Sequence, residues 1–270
     1  MTIGKIQVNT FDVITFVGMA ITLFTSILNL IQNKKGLYIN NITRYRVTWI
    51  NTLRVQISTL KELSNITNLY VITREGVDKV AYRRELEKVV SLIKMHLNFC
   101  GQLDNKLILK VEELKCIINS YLLMHYFRNI IKSINSDDEI ENKFNEAIDV
   151  ISEKKVLDEL LNIARNTKNI KNTISIKNLS LLDLRYKIKA EYNNNTELII
   201  CAVKESEYVI QRWEYKIEKI NKEIDEIVQI YLKSEWSRCK KETRLWPFSR
   251  YNEEKAIKRL EKEYKAQAKK

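Results

Sequence analysis

Glycine and proline are scarce in this chain of 270 residues, which contains five glycines and one proline. A β-sandwich or a β-barrel needs many turns, and turns depend largely on these two residue types. Their scarcity therefore argues against both folds and favours long helices. Charged residues make up 30% of the chain and hydrophobic residues 45%, which is the composition of a folded protein rather than a disordered one.

Catalytic motifs are also missing from the sequence. It contains no GxGxxG, no phosphate loop ending in GK[ST], no HExxH and no GxSxG. The two histidines, His96 and His125, stand alone and are interpreted as helical residues at the edge of the core. Adjacent acidic residues such as Glu112 and Glu113 do not project together from a helix. The sequence therefore predicts that the protein is not an enzyme and holds no metal or cofactor.

Cysteine is sparse and shows no pairing pattern. The four cysteines are widely spaced, and none lies in a CxxC motif. This use of cysteine is typical of reduced thiols in a cytosolic domain rather than of a disulfide framework. The residues are Cys100, Cys116, Cys201 and Cys239.

Acidic residues are absent from positions 13–60, which contain five basic residues. Within this stretch, residues 13–32 read VITFVGMAITLFTSILNLIQ and carry no charge. A helix of this length spans about 30 Å, the thickness of a bilayer core, so we predict a transmembrane helix. The alternative is a buried helix of a soluble protein. A cleaved signal peptide is disfavoured because no small-x-small cleavage site follows the apolar run.

The charges that flank the predicted span indicate its orientation. Lys34, Lys35, Arg44 and Arg46 follow the span, whereas only Lys5 precedes it. The positive-inside rule therefore places the larger C-terminal part in the cytoplasm, and we expect the bacterial inner membrane.

We predict two regions, both helical. Residues 1–36 form an N-terminal segment and the transmembrane helix, and residues 37–270 form a cytoplasmic all-α domain, an elongated bundle with one long coiled-coil-like helix. Residues 166–180 are interpreted as a loop, with a short strand as the alternative, and residues 233–270 as a basic C-terminal segment.

Helical periodicity predicts the individual elements of the cytoplasmic domain. Asp104 is expected to cap one of these helices. A 3-4 rhythm at Ile217, Ile220, Ile224, Ile227 and Tyr231 indicates a seam, within the bundle or between subunits. The predicted helices lie at about 40–72, 78–99, 104–134, 153–165, 181–239 and 253–269. Residues 133–144 are interpreted as a loop that leads into a further helix, which carries Ile140, Phe144, Ile148 and Ile151.

Small and polar residues form one stripe along the predicted span. They are spaced 3, 4, 3, 4 and 3 residues apart, which is the spacing of a helix–helix seam. The stripe predicts a homo-oligomer, either because it is a contact surface between helices or because it lines a water-filled pore. The residues are Thr15, Gly18, Thr22, Thr25, Asn29 and Gln32.

Residues 44–54 read RYRVTWINTLR and follow the span. On a helix, Arg46 falls inside an apolar sector, while Arg44 lies on the opposite face. A buried guanidinium is costly unless it is paired, so Arg46 should meet an acidic side chain, an aromatic face or an anionic ligand; Glu235 is one candidate. We interpret Arg46 and Trp49 as the joint between the span and the cytoplasmic domain. The apolar sector comprises Ile42, Tyr45, Trp49, Ile50, Leu53, Ile57 and Leu60.

The basic C-terminal segment mixes aromatic and basic residues. Residues 233–270 contain thirteen basic and six acidic residues. This mixture is typical of phosphate or nucleic-acid contacts, of a bilayer interface, or simply of aromatic packing at a helix end. The residues predicted to contact an anionic ligand or the membrane are Arg44, Arg238, Lys240, Lys241, Arg244 and Trp246.

The polar stripe, the Arg46–Trp49 joint and the basic C-terminal segment together resemble the layout of single-span membrane effectors of bacterial anti-phage systems, in particular the Hailong-type effector. The resemblance implies an oligomeric, channel-like protein gated by a nucleotide or oligonucleotide that a partner nucleotidyltransferase makes. It is a likeness of layout, and no residue role is carried over. The alternatives are a membrane-tethered scaffold that is not a channel and a membrane tether that binds nucleic acid.

Overall fold

The part of the chain that the structure describes consists of ten helices and contains no β-strand. A computed structural model describes residues 10–38, 41, 43–74, 78–97, 101–133, 137–168, 179–193, 195–242 and 251–267. This confirms the predicted all-α fold with a long apolar N-terminal helix. The helices are α1 (Thr10–Tyr38), α2 (Arg44–Leu63), α3 (Ile66–Thr73), α4 (Lys79–His96), α5 (Gln102–Lys132), α6 (Asp137–Val150), α7 (Lys154–Thr167), α8 (Leu181–Tyr192), α9 (Thr196–Glu242) and α10 (Glu253–Gln267).

By its internal contacts the chain divides into two compact units. The terminal unit comprises Met1–Thr52 and Leu232–Lys270, and the central unit comprises Leu53–Tyr231. Helices α2 and α9 each contribute residues to both units. The sequence-based scheme separates residues 1–36 from residues 37–270, and that division stays a prediction.

Helix α5 lies in the middle of the central unit, where it contacts α3, α4, α6 and α7. It also makes a series of polar contacts with α9, in which residues later in α5 meet residues earlier in α9. The two helices therefore run antiparallel. The contacts join Asp104 to Tyr231 at 2.7 Å, Lys110 to Glu223 at 2.7 Å, Tyr121 to Glu214 at 3.1 Å, and Arg128 to Glu207.

The predicted seam of α9 is buried inside the central unit. None of its five side chains is more than 6% exposed, and each fully buried isoleucine contributes about 1.5–3 kcal/mol of apolar burial. The 3-4 rhythm is therefore confirmed, and the alternative within the bundle is the one observed. The residues are Ile217, Ile220, Ile224, Ile227 and Tyr231.

Two predicted helices are each divided in two, and asparagine explains both breaks. The helix predicted at 40–72 ends at Leu63, and Asn65 caps α3 by accepting a hydrogen bond from the Thr67 N–H at 2.9 Å. The helix predicted at 181–239 breaks before α9, where the Asn195 side chain accepts from the Leu198 N–H at 2.9 Å. An asparagine side chain that bonds nearby backbone N–H groups starts a new helix without glycine or proline.

The predicted cap at Asp104 is wrong because α5 begins earlier, at Gln102, after Gly101. Asp104 instead lies in the first turn, is 4% exposed, and accepts the Tyr231 hydroxyl hydrogen bond. The other predicted boundaries differ from the observed ones by a few residues. Most of the loop predicted at 166–180, residues 169–178, lies outside the described residues.

His125 lies in α5 with its ring centroid 4.5 Å from that of Tyr121, and it is 7% exposed. It therefore lies deeper in the core than predicted. Burial, reinforced by the cations Arg128 and Lys79 and partly opposed by Glu207, lowers the pKa of His125 from 6.5 to about 4. The fold thus holds this imidazole in its neutral form.

The pKa of His125 predicts a loss of stability in acid. Its folded pKa lies below its unfolded pKa, so its contribution is fully present above pH 6.5 and is lost as the pH falls towards 4. We expect His125 to account for a loss of roughly 3 kcal/mol in the free energy of unfolding across this window. Thermal unfolding of the full-length protein in detergent, followed by circular dichroism from neutral pH to pH 4, measures it.

The matched variants are His125→Gln and His96→Gln, the latter at a half-buried site in α4. We expect His125→Gln to reduce the loss of stability between pH 6.5 and pH 4, and His96→Gln to leave that loss unchanged. If His125→Gln loses as much stability in acid as the wild type, the loss comes from other groups.

Candidate functional site

Helix α1 contains a candidate membrane span of 25 residues, Val13–Leu37, whose most apolar 18-residue window has a mean hydropathy of 2.0. Its side chains are not buried against the rest of the chain; Phe16, for example, is 74% exposed. A core helix of a soluble protein would bury these side chains, because exposed apolar surface in water is unfavourable. The chain therefore has one N-terminal helix that is long and apolar enough to cross a membrane.

The hydroxyl groups of the polar stripe bond to the helix that carries them. Thr15 donates to the Phe11 carbonyl at 2.8 Å, and Thr22 donates to the Gly18 carbonyl at 2.8 Å. Thr25 donates to the Ile21 carbonyl at 2.7 Å. These hydroxyls are therefore satisfied without a second helix, and they can face lipid at low cost.

The carboxamides of the stripe differ from its hydroxyls. Among the residues that the structure describes, Asn29 and Gln32 have no side-chain hydrogen bond, and both are exposed. An amide without a partner in a hydrocarbon environment costs several kcal/mol, in the range of about 4–8 on the strictest transfer scale. Asn29 and Gln32, rather than the threonines, therefore indicate a contact with another helix or with water.

Gly18 leaves open space on the same stripe. A side chain added there meets no atom within 4 Å. The absence of a side chain is therefore not explained by packing within this chain, and it fits close approach of a second helix.

Arg46 forms an ion pair with an acidic side chain inside the terminal unit. Its Nε lies 3.7 Å from Oε2 of Glu235, and the two side chains are 19% and 11% exposed. Arg238 approaches the other oxygen of Glu235 at 3.8 Å. The expectation that Arg46 meets an acid is confirmed, with the partner considered from the sequence.

The residues of the apolar sector around Arg46 differ in how far their side chains are exposed. Trp49 is half-buried and Ile50 is 1% exposed, in agreement with the apolar sector. Tyr45 lies at the edge of that sector and is 77% exposed; a phenol ring tolerates water because its hydroxyl is polar. Ile42 lies outside the described residues. Arg44 is exposed, as expected for the opposite face.

The predicted basic residues of the C-terminal segment that the structure describes lie against different neighbours. Arg238 is near Glu235, whereas Lys240 lies over the Trp236 ring with its Nζ 5.8 Å from the centroid. Lys241 lies over the Tyr251 ring at 5.7 Å. The remaining two predicted contacts, Arg244 and Trp246, lie outside the described residues.

A cleft of about 460 Å³ lies between the end of α9 and α10 in the terminal unit. Among the described residues that were predicted for anion contact, Lys241 alone lines it. The sequence-based interpretation missed the others, since it assigned the charges of α10 to a solvated face. Their spacing at i, i+3, i+4 and i+7 is the signal that identifies one basic face. The cationic lining residues are Lys241, Lys255, Lys258, Arg259 and Lys262.

Three of the four cysteines lie in the described part of the chain. Cys116, Cys201 and Cys239 are not joined by disulfide bonds, and Cys100 lies outside the described residues. Burial, followed by the charge of Glu153, raises the pKa of Cys116, so this thiol is protonated at neutral pH. Within the described ranges no cluster of three or more His, Cys, Asp or Glu side chains is placed to hold a metal ion.

No protein-family model matches the chain, and neither curated proteins nor solved structures give a significant match. The function is therefore inferred from the geometry of the stripe, the Arg46–Glu235 pair and the cleft.

A bulky residue at position 18 tests whether the stripe contacts another helix. Because the chain itself leaves space there, we expect Gly18→Leu to preserve the helix and to weaken self-association by about tenfold or more, equivalent to about 1.4 kcal/mol. Analytical ultracentrifugation in detergent measures the change. The control is Ala20→Leu, which adds a similar side chain on the opposite face of α1. Equal effects of the two variants would argue against a specific seam.

A double-mutant cycle tests the ion pair of Arg46. We expect Arg46→Met and Glu235→Gln each to lower the free energy of unfolding by about 1–3 kcal/mol, since each leaves a largely buried charge less well compensated. The double variant should lose less than the sum, with a coupling energy of about 1 kcal/mol. The exposed pair Lys143–Glu146 is the control, and we expect its coupling to stay below about 0.5 kcal/mol. Additive losses at Arg46 and Glu235 would contradict the pairing.

Proposed function

We propose that this chain is a membrane-anchored homo-oligomeric effector in bacterial anti-phage defence. Its α1 helices assemble along the polar stripe into a ligand-gated channel or a bilayer-perturbing bundle. The rest of the chain senses an anionic ligand such as a nucleotide or oligonucleotide. The observation that carries the proposal is an exposed apolar helix on which Asn29 and Gln32 have no partner among the described residues.

A ring of α1 helices gives these two amides an environment that a single span does not. In such a ring Asn29 and Gln32 face either the same residues of neighbouring chains or water in a central pore. The apolar side chains on the remaining surface, such as Phe16 and Leu23, then face lipid. The absence of a side chain at Gly18 lets neighbouring backbones approach.

The orientation and the partners are part of the proposal. Lys34, Lys35, Arg44 and Arg46 after the span favour a cytoplasmic C-terminal part in the inner membrane. The basic terminal unit suits a ligand that carries phosphates, and the resemblance to Hailong-type effectors suggests that a partner nucleotidyltransferase makes it. The chain would then act without a catalytic site or a cofactor of its own.

The second candidate function is a membrane-tethered scaffold that does not conduct. The internal hydrogen bonds of Thr15, Thr22 and Thr25 favour it, because a threonine that is satisfied by its own helix needs neither a pore nor a neighbour. The stripe would then be a dimer contact centred on Gly18 and Asn29. A tether that binds nucleic acid would in addition show binding that weakens steeply as salt rises.

Substitution of Asn29 separates the channel from the scaffold. In a channel lined by the stripe, we expect Asn29→Leu to reduce ion flux through liposomes by about tenfold. Leucine side chains from all the subunits would then form an apolar constriction that excludes water from the pore. Asn29→Gln keeps a carboxamide and should retain most of the flux. The assay is dye release and ion flux with the purified full-length protein.

The control for this series is Ile27→Leu, on the opposite face of α1, which should leave the flux unchanged. A stable dimer with no flux in wild-type liposomes would favour the scaffold. Flux that is equal in wild type and Asn29→Leu would remove the stripe from the conduction path.

A further inference from the structure

Four cations of α10 lie on one face of that helix. The residues are spaced i, i+3, i+4 and i+7, so their side chains fall within an arc of about 100°. Leu260, on the other side of the helix, is 7% exposed and forms the packed face. The cations are Lys255, Lys258, Arg259 and Lys262, and all four line the cleft between α9 and α10.

These charges are poorly compensated by the protein. Arg259 lies 3.3 Å from Glu263, but in the part of the chain that the structure describes Lys255, Lys258 and Lys262 form no ion pair. Like charges three and four residues apart on a helix destabilise it by a few tenths of a kcal/mol per pair. A polyanion bound at this face would offset this cost.

The ion pairs of the central unit provide the contrast. Its cations at the α5–α9 contact lie against carboxylates, as in Lys110 with Glu223 at 2.7 Å and Lys216 with Glu113 at 3.0 Å. Among the described residues of α10, the cations that line the cleft lack such a match, apart from Arg259 with Glu263.

The opposite wall of the cleft is fixed by hydrogen bonds. The Tyr251 hydroxyl donates to the Ser234 carbonyl at 2.9 Å, and Lys241 of α9 lies over the same ring. The Asn252 side chain accepts a hydrogen bond from the Lys255 N–H at 2.9 Å and so fixes the start of α10. The cleft is thus shaped before a ligand enters it.

We propose that this cleft binds the phosphate groups of a ligand that carries at least two of them. Lysine and arginine donate charge-assisted hydrogen bonds to phosphate oxygens, and five cations match a polyphosphate better than a single carboxylate. The volume of about 460 Å³ is that of a small-ligand site, sufficient for a nucleotide. The proposal rests on the ligand-sensing part of the proposed function and assigns its site.

Titration with inorganic tripolyphosphate tests the site. The full-length protein in nanodiscs of zwitterionic lipid is titrated by calorimetry, and Lys258→Gln with Lys262→Gln is compared with wild type. We expect the double variant to bind about tenfold to a hundredfold more weakly, with a shallower dependence on salt because fewer phosphates are contacted.

The matched control is Lys219→Gln with Lys222→Gln, which removes two charges from exposed positions on α9 in the central unit. It should bind like wild type. Tripolyphosphate binding that is absent in wild type, or equally weakened by both double variants, would overturn the proposal. Circular dichroism verifies that each variant keeps its helix content.

Two sources of phosphate are separated by the lipid in the nanodisc. If a free polyphosphate is the ligand, tripolyphosphate binds equally well in zwitterionic and in phosphatidylglycerol nanodiscs. If a lipid headgroup fills the cleft, phosphatidylglycerol competes and weakens binding to wild type. Each outcome supports a phosphate site and identifies its occupant.

Ion flux keeps this proposal distinct from the proposed function. Tripolyphosphate binding at the cleft without flux under any condition would argue against the channel and retain the site. The opposite result combines two observations: the protein conducts ions, and the Lys258→Gln, Lys262→Gln double variant binds tripolyphosphate as tightly as wild type. That result would argue against the site and retain the channel.

Discussion

The antiparallel packing of α5 against α9 is the interaction on which the central unit depends. Helix α5 also contacts α3, α4, α6 and α7, so its position fixes theirs. The apolar stripe of α9 from Ile217 to Tyr231 is buried, and the polar contacts between α5 and α9 set the register of the two helices. Buried polar groups that have specific partners, such as Asp104 with Tyr231, penalise a shift of one helix along the other.

Charge is distributed differently in the two units. In the central unit, cations such as Lys110 and Lys216 lie against carboxylates and serve the packing. In the terminal unit, Arg46 and Arg238 share Glu235, while the basic face of α10 lines a cleft. The net charge of +12 is therefore not a uniform property of the surface. Only the part that lacks carboxylate partners remains to attract a polyanion.

Hydrogen bonding also divides the polar stripe of α1 into two chemical classes. A threonine hydroxyl reaches the carbonyl four residues earlier, as Thr22 does with Gly18, so it loses little in a bilayer. The carboxamide of Asn29 carries two donors and an acceptor, and its own helix does not satisfy them in this structure. The proposed contact between α1 helices therefore depends mainly on Asn29, Gln32 and the open space at Gly18.

The sequence by itself determined the helical class, the long apolar helix and the burial rhythm of α9, because these depend on local composition and on the 3.6-residue period. It did not reveal the breaks at Asn65 and Asn195, since a capping asparagine looks like any polar residue until its backbone partner is known. Only the tertiary structure placed Glu235 beside Arg46 and aligned the cations of α10 along a cleft with Lys241. Those contacts join residues that are distant in the chain, and periodicity carries no information about which helix face meets which.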